Sequence, residues 1–301
     1  MRRLMLAAAM LGTVSAAQAA DLPDLPVLRG GFTDGLSKTT HNWDGFYVGG
    51  QVGYTSGEAD LSHAPKSMTN FMLRNSVLQD PVSQWSLLPK NHVQANGFGA
   101  FVGRNWQWYD AVLGIEANYN YMNNLATSAS DSMSLAIVNP SGETPPAGHT
   151  YTYNTTLSGG AAVQIKDVVT LRGRVGWDGG GFMPYMFGGL AIGRADVSRY
   201  ATVSWAKYDD YDQQTLVGFT AGGIPIYTTS HQTDFKGSAT LSQAERRTNS
   251  FVYGWTGGLG IEYAVWEGVF LRAEWEHIGF SNVKDISVSL NNFRLGAGYK
   301  F

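Results

Sequence analysis

Eight segments of the chain read as strands, and in seven of them apolar residues alternate with small or charged ones at period two, the pattern of strands with two unlike faces. The first segment covers about residues 46–54. Phe46, Val48, Val52 and Tyr54 share one face; Tyr47, Gly49, Gln51 and Gly53 share the other. The second, about 97–106, puts Phe98, Ala100 and Val102 on one face. In the third, about 111–119, Leu113, Ile115, Ala117 and Tyr119 oppose Val112, Gly114, Glu116 and Asn118. The fourth, about 169–177, sets Val169, Leu171, Gly173, Val175 and Trp177 against Thr170, Arg172, Arg174 and Gly176. The fifth, about 184–194, is apolar or Gly on both faces. In the sixth, about 251–263, Trp255, Leu259, Ile261 and Tyr263 face away from Thr256, Gly258, Gly260 and Glu262. The seventh, about 270–278, has Leu271, Ala273 and Trp275 opposite Arg272, Glu274 and Glu276. The eighth ends the chain, Phe293, Leu295, Ala297, Tyr299 and Phe301 alternating with Arg294, Gly296, Gly298 and Lys300.

A soluble sandwich would alternate in the same way, so the connections have to decide. Segments 2–3, 4–5 and 6–7 are joined by short turns. Segments 1–2, 3–4 and 5–6 are separated by long polar stretches, about 55–96, 120–168 and 195–250, with room either to extend the strands above the membrane or to carry a binding function of their own. Short turns on one rim and long loops on the other are the pattern of an outer-membrane barrel. Trp43, Trp106, Trp108, Trp177, Tyr185, Trp266 and Phe270 gather near the short turns, where a barrel carries its aromatic belt. The expected fold is all-β: an eight-stranded antiparallel transmembrane β-barrel with short periplasmic turns and long extracellular loops.

The inward phase then holds Glu116, Glu262, Glu274 and Glu276 together with Arg172, Arg174, Arg272 and Arg294. Eight strands make a barrel just wide enough to be filled by side chains. Four acids and four bases in that space predict a lumen charge network, with Glu116 and Arg172 as cross-strand neighbours. Arg104 breaks the pattern. It falls on the outward phase near the short-turn end, where its long side chain can reach the headgroups.

Composition removes other classes. The chain has 301 residues, no Cys, 37 Gly, 15% charged residues and a net charge of −3. Cysteine chemistry and a disulfide framework are excluded. A charge this small, with no basic block, speaks against nucleic acid as a partner. Met1-Arg2-Arg3, an apolar stretch from Leu4 to Val14 and Ala17-Gln18-Ala19 read as a signal peptide over 1–19. Eleven apolar residues are too few to span a bilayer as a helix. Residues 20–42, with Pro23, Pro26, Gly30 and Gly31, read as a flexible periplasmic arm, and 43–301 as the barrel.

Thirteen residues, Asn42-Trp43-Asp44-Gly45-Phe46-Tyr47-Val48-Gly49-Gly50-Gln51-Val52-Gly53-Tyr54, resemble the opening strand of the alphaproteobacterial outer-membrane immunogenic proteins, small barrels related to the OmpA-like and opacity-type families. Ala20-Asp21-Leu22-Pro23, Leu113-Gly114-Ile115-Glu116-Ala117, the run 184–191, Gly254-Trp255-Thr256-Gly257-Gly258 and the ending 294–301 carry the same resemblance. It implies a surface-exposed barrel of the cell outer membrane with an envelope-structural role. The terminal Tyr299 and Phe301 resemble the signal read by the barrel-assembly machinery. Outer-membrane lipid and lipopolysaccharide are the expected surroundings.

Catalytic signatures are missing: the chain has no P-loop, G-x-S-x-G or H-E-x-x-H. Lipid A deacylases carry a His-x-Ser pair on such a strand; here His277-Ile278-Gly279 has Gly in place of Ser, and Asp285 lies eight residues on. His277 is therefore expected at the rim without a catalytic role. His41, His63, His92, His149 and His231 have no ligand spacing. No enzyme activity, cofactor or metal is expected. Two further readings compete with the structural role. One is a small porin-like channel, which needs a water-filled interior. The other is a loop-based receptor or adhesin for a host or environmental ligand such as haemin, using Tyr151, Tyr153, Trp205, Tyr208, Tyr211 and Tyr227.

Overall fold

The computed structural model describes residues 41–281 and 285–301. The expected signal peptide, and the arm up to residue 40, lie outside the described residues. Eight antiparallel strands follow in chain order: β1 (Gly45–Asp60), β2 (Lys90–Trp108), β3 (Ala111–Val138), β4 (His149–Trp177), β5 (Phe182–Phe219), β6 (Pro225–Trp266), β7 (Val269–Phe280) and β8 (Ser287–Lys300). Each pairs with the next, and β8 returns to β1 to close the barrel. Val48 stands opposite Tyr299 and Val52 opposite Leu295 at that seam. The Phe301 N–H donates to the Phe46 carbonyl at 2.9 Å. Closure leaves no open edge along this part of the barrel, the condition for a sheet in lipid.

The outer face near the short turns is an apolar band. Phe46, Val48, Val52, Phe98, Val102, Ile115, Leu171, Met186, Leu190 and Leu259 are all exposed. Apolar surface of this extent marks contact with lipid or with protein. The turns below the band are tight: two residues join β6 to β7, and Gly268 there takes φ +77°.

The expected long loops are mostly strand. β5 has 38 residues and β6 has 42, against the roughly 9–11 that cross a bilayer. Alternation persists in the extensions, but on β3, β4 and β6 its phase changes. Below, Met122 on β3, Val168 on β4 and Val252 on β6 point inward. Above, Leu125, Ile165 and Glu245 do. Register breaks fall between Tyr121 and Leu125, Ile165 and Asp167, and Ala195 and Val197. Each bulge inserts extra backbone and flips the faces beyond it. Asn124 and Asn249 adopt positive φ at these breaks, a conformation Asn tolerates better than most residues. Lys166 ties the level together, 3.0 Å from Asn249 and 2.9 Å from Asp196.

Above the bulges the outer face is hydroxyl-rich. Ser132 meets Ser158 at 2.8 Å, Ser134 meets Thr156 at 2.8 Å, Thr202 meets Ser242 at 3.0 Å and Thr240 meets Ser204 at 3.2 Å. The inner face is apolar and is covered by the segment between β1 and β2. That segment contains α1 (Lys66–Met72) and α2 (Gln79–Ser83). Leu61, Met68, Leu73, Leu78, Val82 and Leu87 pack against Leu157, Ala161, Val197, Ala201 and Val203. Arg199 clasps the cap to the sheet. It donates to the Ala64 carbonyl at 3.0 Å and to Asp285 at 3.2 Å, and pairs with Glu245 at 2.9 Å.

Candidate functional site

The site is built where strand pairing brings inward charges together. Glu116 stands opposite Arg172, Glu262 opposite Arg272 and Glu274 opposite Arg294. Period two on each strand keeps these side chains in the lumen. All eight expected lumen charges are there, none more than 4% exposed.

Glu116 is the hub. It accepts from Arg172 Nε at 2.9 Å and Nη2 at 2.5 Å, from Arg272 at 2.7 and 3.1 Å, and from Arg174 at 3.1 Å. The Tyr47 hydroxyl and Asn118 amide also donate to it, at 2.7 and 2.5 Å. Glu262 accepts from Arg272 Nε at 2.9 Å and Nη2 at 2.6 Å. Glu274 takes Arg172 at 2.5 Å, Arg294 at 2.9 Å and the Tyr185 hydroxyl at 2.5 Å. Glu276 accepts from Thr256 at 2.8 Å and Asn292 at 2.9 Å, and lies 3.5 Å from Arg172. Arg174 reaches Glu262, and Arg294 reaches Glu276, as ion pairs at 2.9 Å that lack hydrogen-bond alignment. Every carboxylate thus has cationic or hydroxyl partners, as burial requires.

Aromatic rings support the guanidinium groups from the short-turn side. Arg172 lies 3.9 Å from the Phe187 ring centre, Arg174 4.0 Å from Tyr185 and Arg272 3.8 Å from Phe101, within cation–π range. These rings belong to a buried cluster with Trp43, Tyr47, Val112, Met183 and Phe270. Trp43 is held at the rim by Asp178, which accepts from its indole N–H at 3.1 Å, and by Gln107, which accepts from its backbone N–H at 2.7 Å. Inward glycines on neighbouring strands make room for the rings. A Cβ at Gly49 would stand 2.2 Å from Phe101, and one at Gly260 2.4 Å from Tyr185. On the far side of the charges lies a second apolar layer, including Met122, Leu125, Ile165, Val168, Val252, Ile278 and Leu290.

The aromatic belt expected from sequence needs correction. Trp43, Tyr185 and Phe270 are buried inside; Trp108, Trp177 and Trp266 stand outside. Inward rings were missed because an aromatic residue on a strand reads equally well as membrane-facing. The signal was the Gly of the paired strand. Arg104 lies on the outer side, 4.6 Å from the Phe46 ring and 5.5 Å from Trp106.

Tyr299 and Phe301 are exposed and stacked at 6.3 Å. His277 is on the outer phase of β7, beside Asn291 at 3.0 Å and Trp255 at 5.2 Å, while Asp285 serves Arg199 and the Ser67 N–H. The six aromatics of the long connections do not share one site. Tyr153 packs on Trp205 with Tyr151 nearby over the cap, Tyr208 packs on Phe235, Tyr211 stacks on His149, and Tyr227 is exposed. Glu143 reaches back to accept from Tyr153 at 2.6 Å and pairs with Lys207. Partial burial opposes its charge, yet these two partners hold its carboxyl below the usual range. Among the described residues, no group of three or more acidic or His side chains is arranged to hold a metal ion.

A closed ring of eight antiparallel strands with an apolar outer band defines the class of outer-membrane β-barrels. The chain belongs to the outer membrane protein β-barrel domain family, which it matches over residues 6–301. That family places it in the cell outer membrane. No curated protein matches it in sequence. Among solved structures it is similar to Ail, the attachment invasion locus protein of Yersinia pestis, at 11% identity and a TM-score of 0.32, covering 86% of this chain and 99% of that one. Neisserial surface protein A gives 14% identity and a TM-score of 0.32, covering 87% and 100%. The translocator domain of the autotransporter NalP from Neisseria meningitidis gives 12% and 0.25, covering 89% and 91%.

Proposed function

We propose that this protein is a surface protein of the outer membrane with an envelope-structural role, its lumen non-conducting and its upper strands standing outside the cell. One observation carries the reading: the eight lumen charges neutralise one another between two apolar layers. A channel needs water along its axis, and charges spent on each other offer an ion no unpaired site. The resemblance of residues 42–54 to the alphaproteobacterial immunogenic proteins supports the same role. In this reading the short turns are periplasmic, Tyr299 and Phe301 are the assembly signal, and His277 has no catalytic part. The test is single-channel recording on the purified full chain in planar bilayers. No steady conductance is expected; reproducible unitary steps would overturn the reading in favour of a small channel.

A further inference from the structure

The β5–β6 hairpin outruns every other strand. Pairing of β4 with β5 ends at His149 opposite Tyr211. Beyond it a two-stranded ribbon continues from Asp212 opposite His231 to Phe219 opposite Pro225. Such a ribbon has little stability of its own in water. From residue 213 to 230 it carries no charged side chain. Leu216, Val217, Phe219, Ile224, Ile226 and Tyr227 are 45–66% exposed there.

The arrangement of these groups selects the partner. Leu216 stands opposite Tyr227 and Phe219 opposite Pro225; the Gly218–Ile226 pair lies between them on the other face. Both faces of the ribbon are therefore apolar. A globular partner covers one face, whereas a ribbon apolar all round fits an apolar medium. The turn suits such a medium too. Thr220 N–H donates to the Ile224 carbonyl at 2.8 Å, Ile224 N–H to Thr220 Oγ1 at 3.1 Å and Gly223 N–H to the Thr220 carbonyl at 2.9 Å. Pro225 has no N–H to leave unmet. Unpaired backbone groups are what lipid excludes, and few donors remain at this tip. From Leu216 to Phe219 the ribbon is about 10 Å long, similar to the roughly 5–10 Å that interfacial segments sink.

Charge selects the lipid. Asp210, Asp212 and Asp234 are at least partly exposed around the base of the ribbon, against Lys236 and His231, while Asp209 is buried between His149 and Lys236. An anionic collar disfavours anionic headgroups. Height excludes the barrel's own membrane: from Arg194 to Phe219, β5 runs about 80 Å along the strand at roughly 3.3 Å per residue. We propose that the tip of the β5–β6 hairpin inserts into the interfacial layer of a second, apposed bilayer of zwitterionic lipid, so that the protein bridges two membranes. The proposal rests on the barrel being in a membrane and is independent of whether its lumen conducts.

The experiment uses the full chain in nanodiscs, floated with added phosphatidylcholine vesicles. Co-flotation is expected, and the double variant Phe219→Asp, Ile224→Asp should lower the bound fraction at least about tenfold, because two apolar anchors are lost. Phe219→Leu should retain binding. Both variants should keep the gel migration of the folded barrel, since the tip lies outside it. Vesicles with added phosphatidylglycerol should bind less. Absence of co-flotation, equal binding by the double variant, or tighter binding to anionic vesicles would each overturn the proposal. So would nanodiscs that cluster without vesicles and lose this with the double variant, which would make a second copy the occupant.

Discussion

Glu116 is buried and accepts from three arginines. Removing it leaves four buried arginines, Arg172, Arg174, Arg272 and Arg294, with three carboxylates. An unpaired buried charge costs about 3–5 kcal/mol, against about 0–1 for an exposed pair. Glu116→Ala should therefore destabilise the barrel by several kcal/mol in reversible unfolding from lipid, or admit water and open a measurable leak. Unchanged unfolding together with unchanged conductance would mean that Glu116 is solvated. The charged residues of this site were legible one by one, because each breaks an otherwise apolar or Gly-rich strand on a fixed phase. Tyr47, Phe101, Tyr185 and Phe187 were not legible as its supports. The space they fill beside the charges is left by Gly49, Gly103, Gly258 and Gly260 on other strands, and a single strand does not carry that information.

At the scale of elements, the lower strands have a lipid face and the upper ones a wet face. Leu259 on β6 is exposed in the apolar band, opposite Met186 and Trp275. Arg there should cost about 2–4 kcal/mol near the bilayer midplane. Ser134, on the hydroxyl-rich upper part of β3, should accept Arg within about 0.5 kcal/mol. Equal costs for Leu259→Arg and Ser134→Arg in lipid-based unfolding would refute this assignment of faces. The lower strands were legible because lipid on one side and a charged lumen on the other produce strong contrast. The extensions of β3 to β6 were legible only as one option for the long connections. Their outer residues are largely Ser and Thr, and the bulges at Asn124, Lys166 and Asn249 shift the phase of β3, β4 and β6 in the middle of each run. The cap was hidden. Met68 and Met72, or Leu78 and Val82, sit at helical spacing, but the helices are 7 and 5 residues long, too short for a periodic signal.

For the whole molecule, closure is the decisive event. Phe301 donates its N–H to Phe46 and stacks on Tyr299 at the seam. Deleting Phe301 should lower the amount of assembled, heat-modifiable protein in the outer membrane more than it lowers synthesis. Membrane levels equal to the unaltered chain would show that the terminal aromatic pattern is dispensable. Alternation with period two, short turns and the charge phase are local properties, so the sequence by itself determined the strand type, the number of lower strands and which charged residues of those strands point inward. The contacts among those residues are not local. Arg272 and Glu116 are 156 positions apart, and Arg172 and Glu274 are 102 apart. Their meeting depends on the register of several strand pairs and on ring closure. Only the tertiary structure decided which arginine serves which carboxylate, that aromatic rings lie beneath them, and that a helical cap fills the upper sheet. The physical reason is that backbone sterics act between neighbours in sequence, while packing acts between neighbours in space.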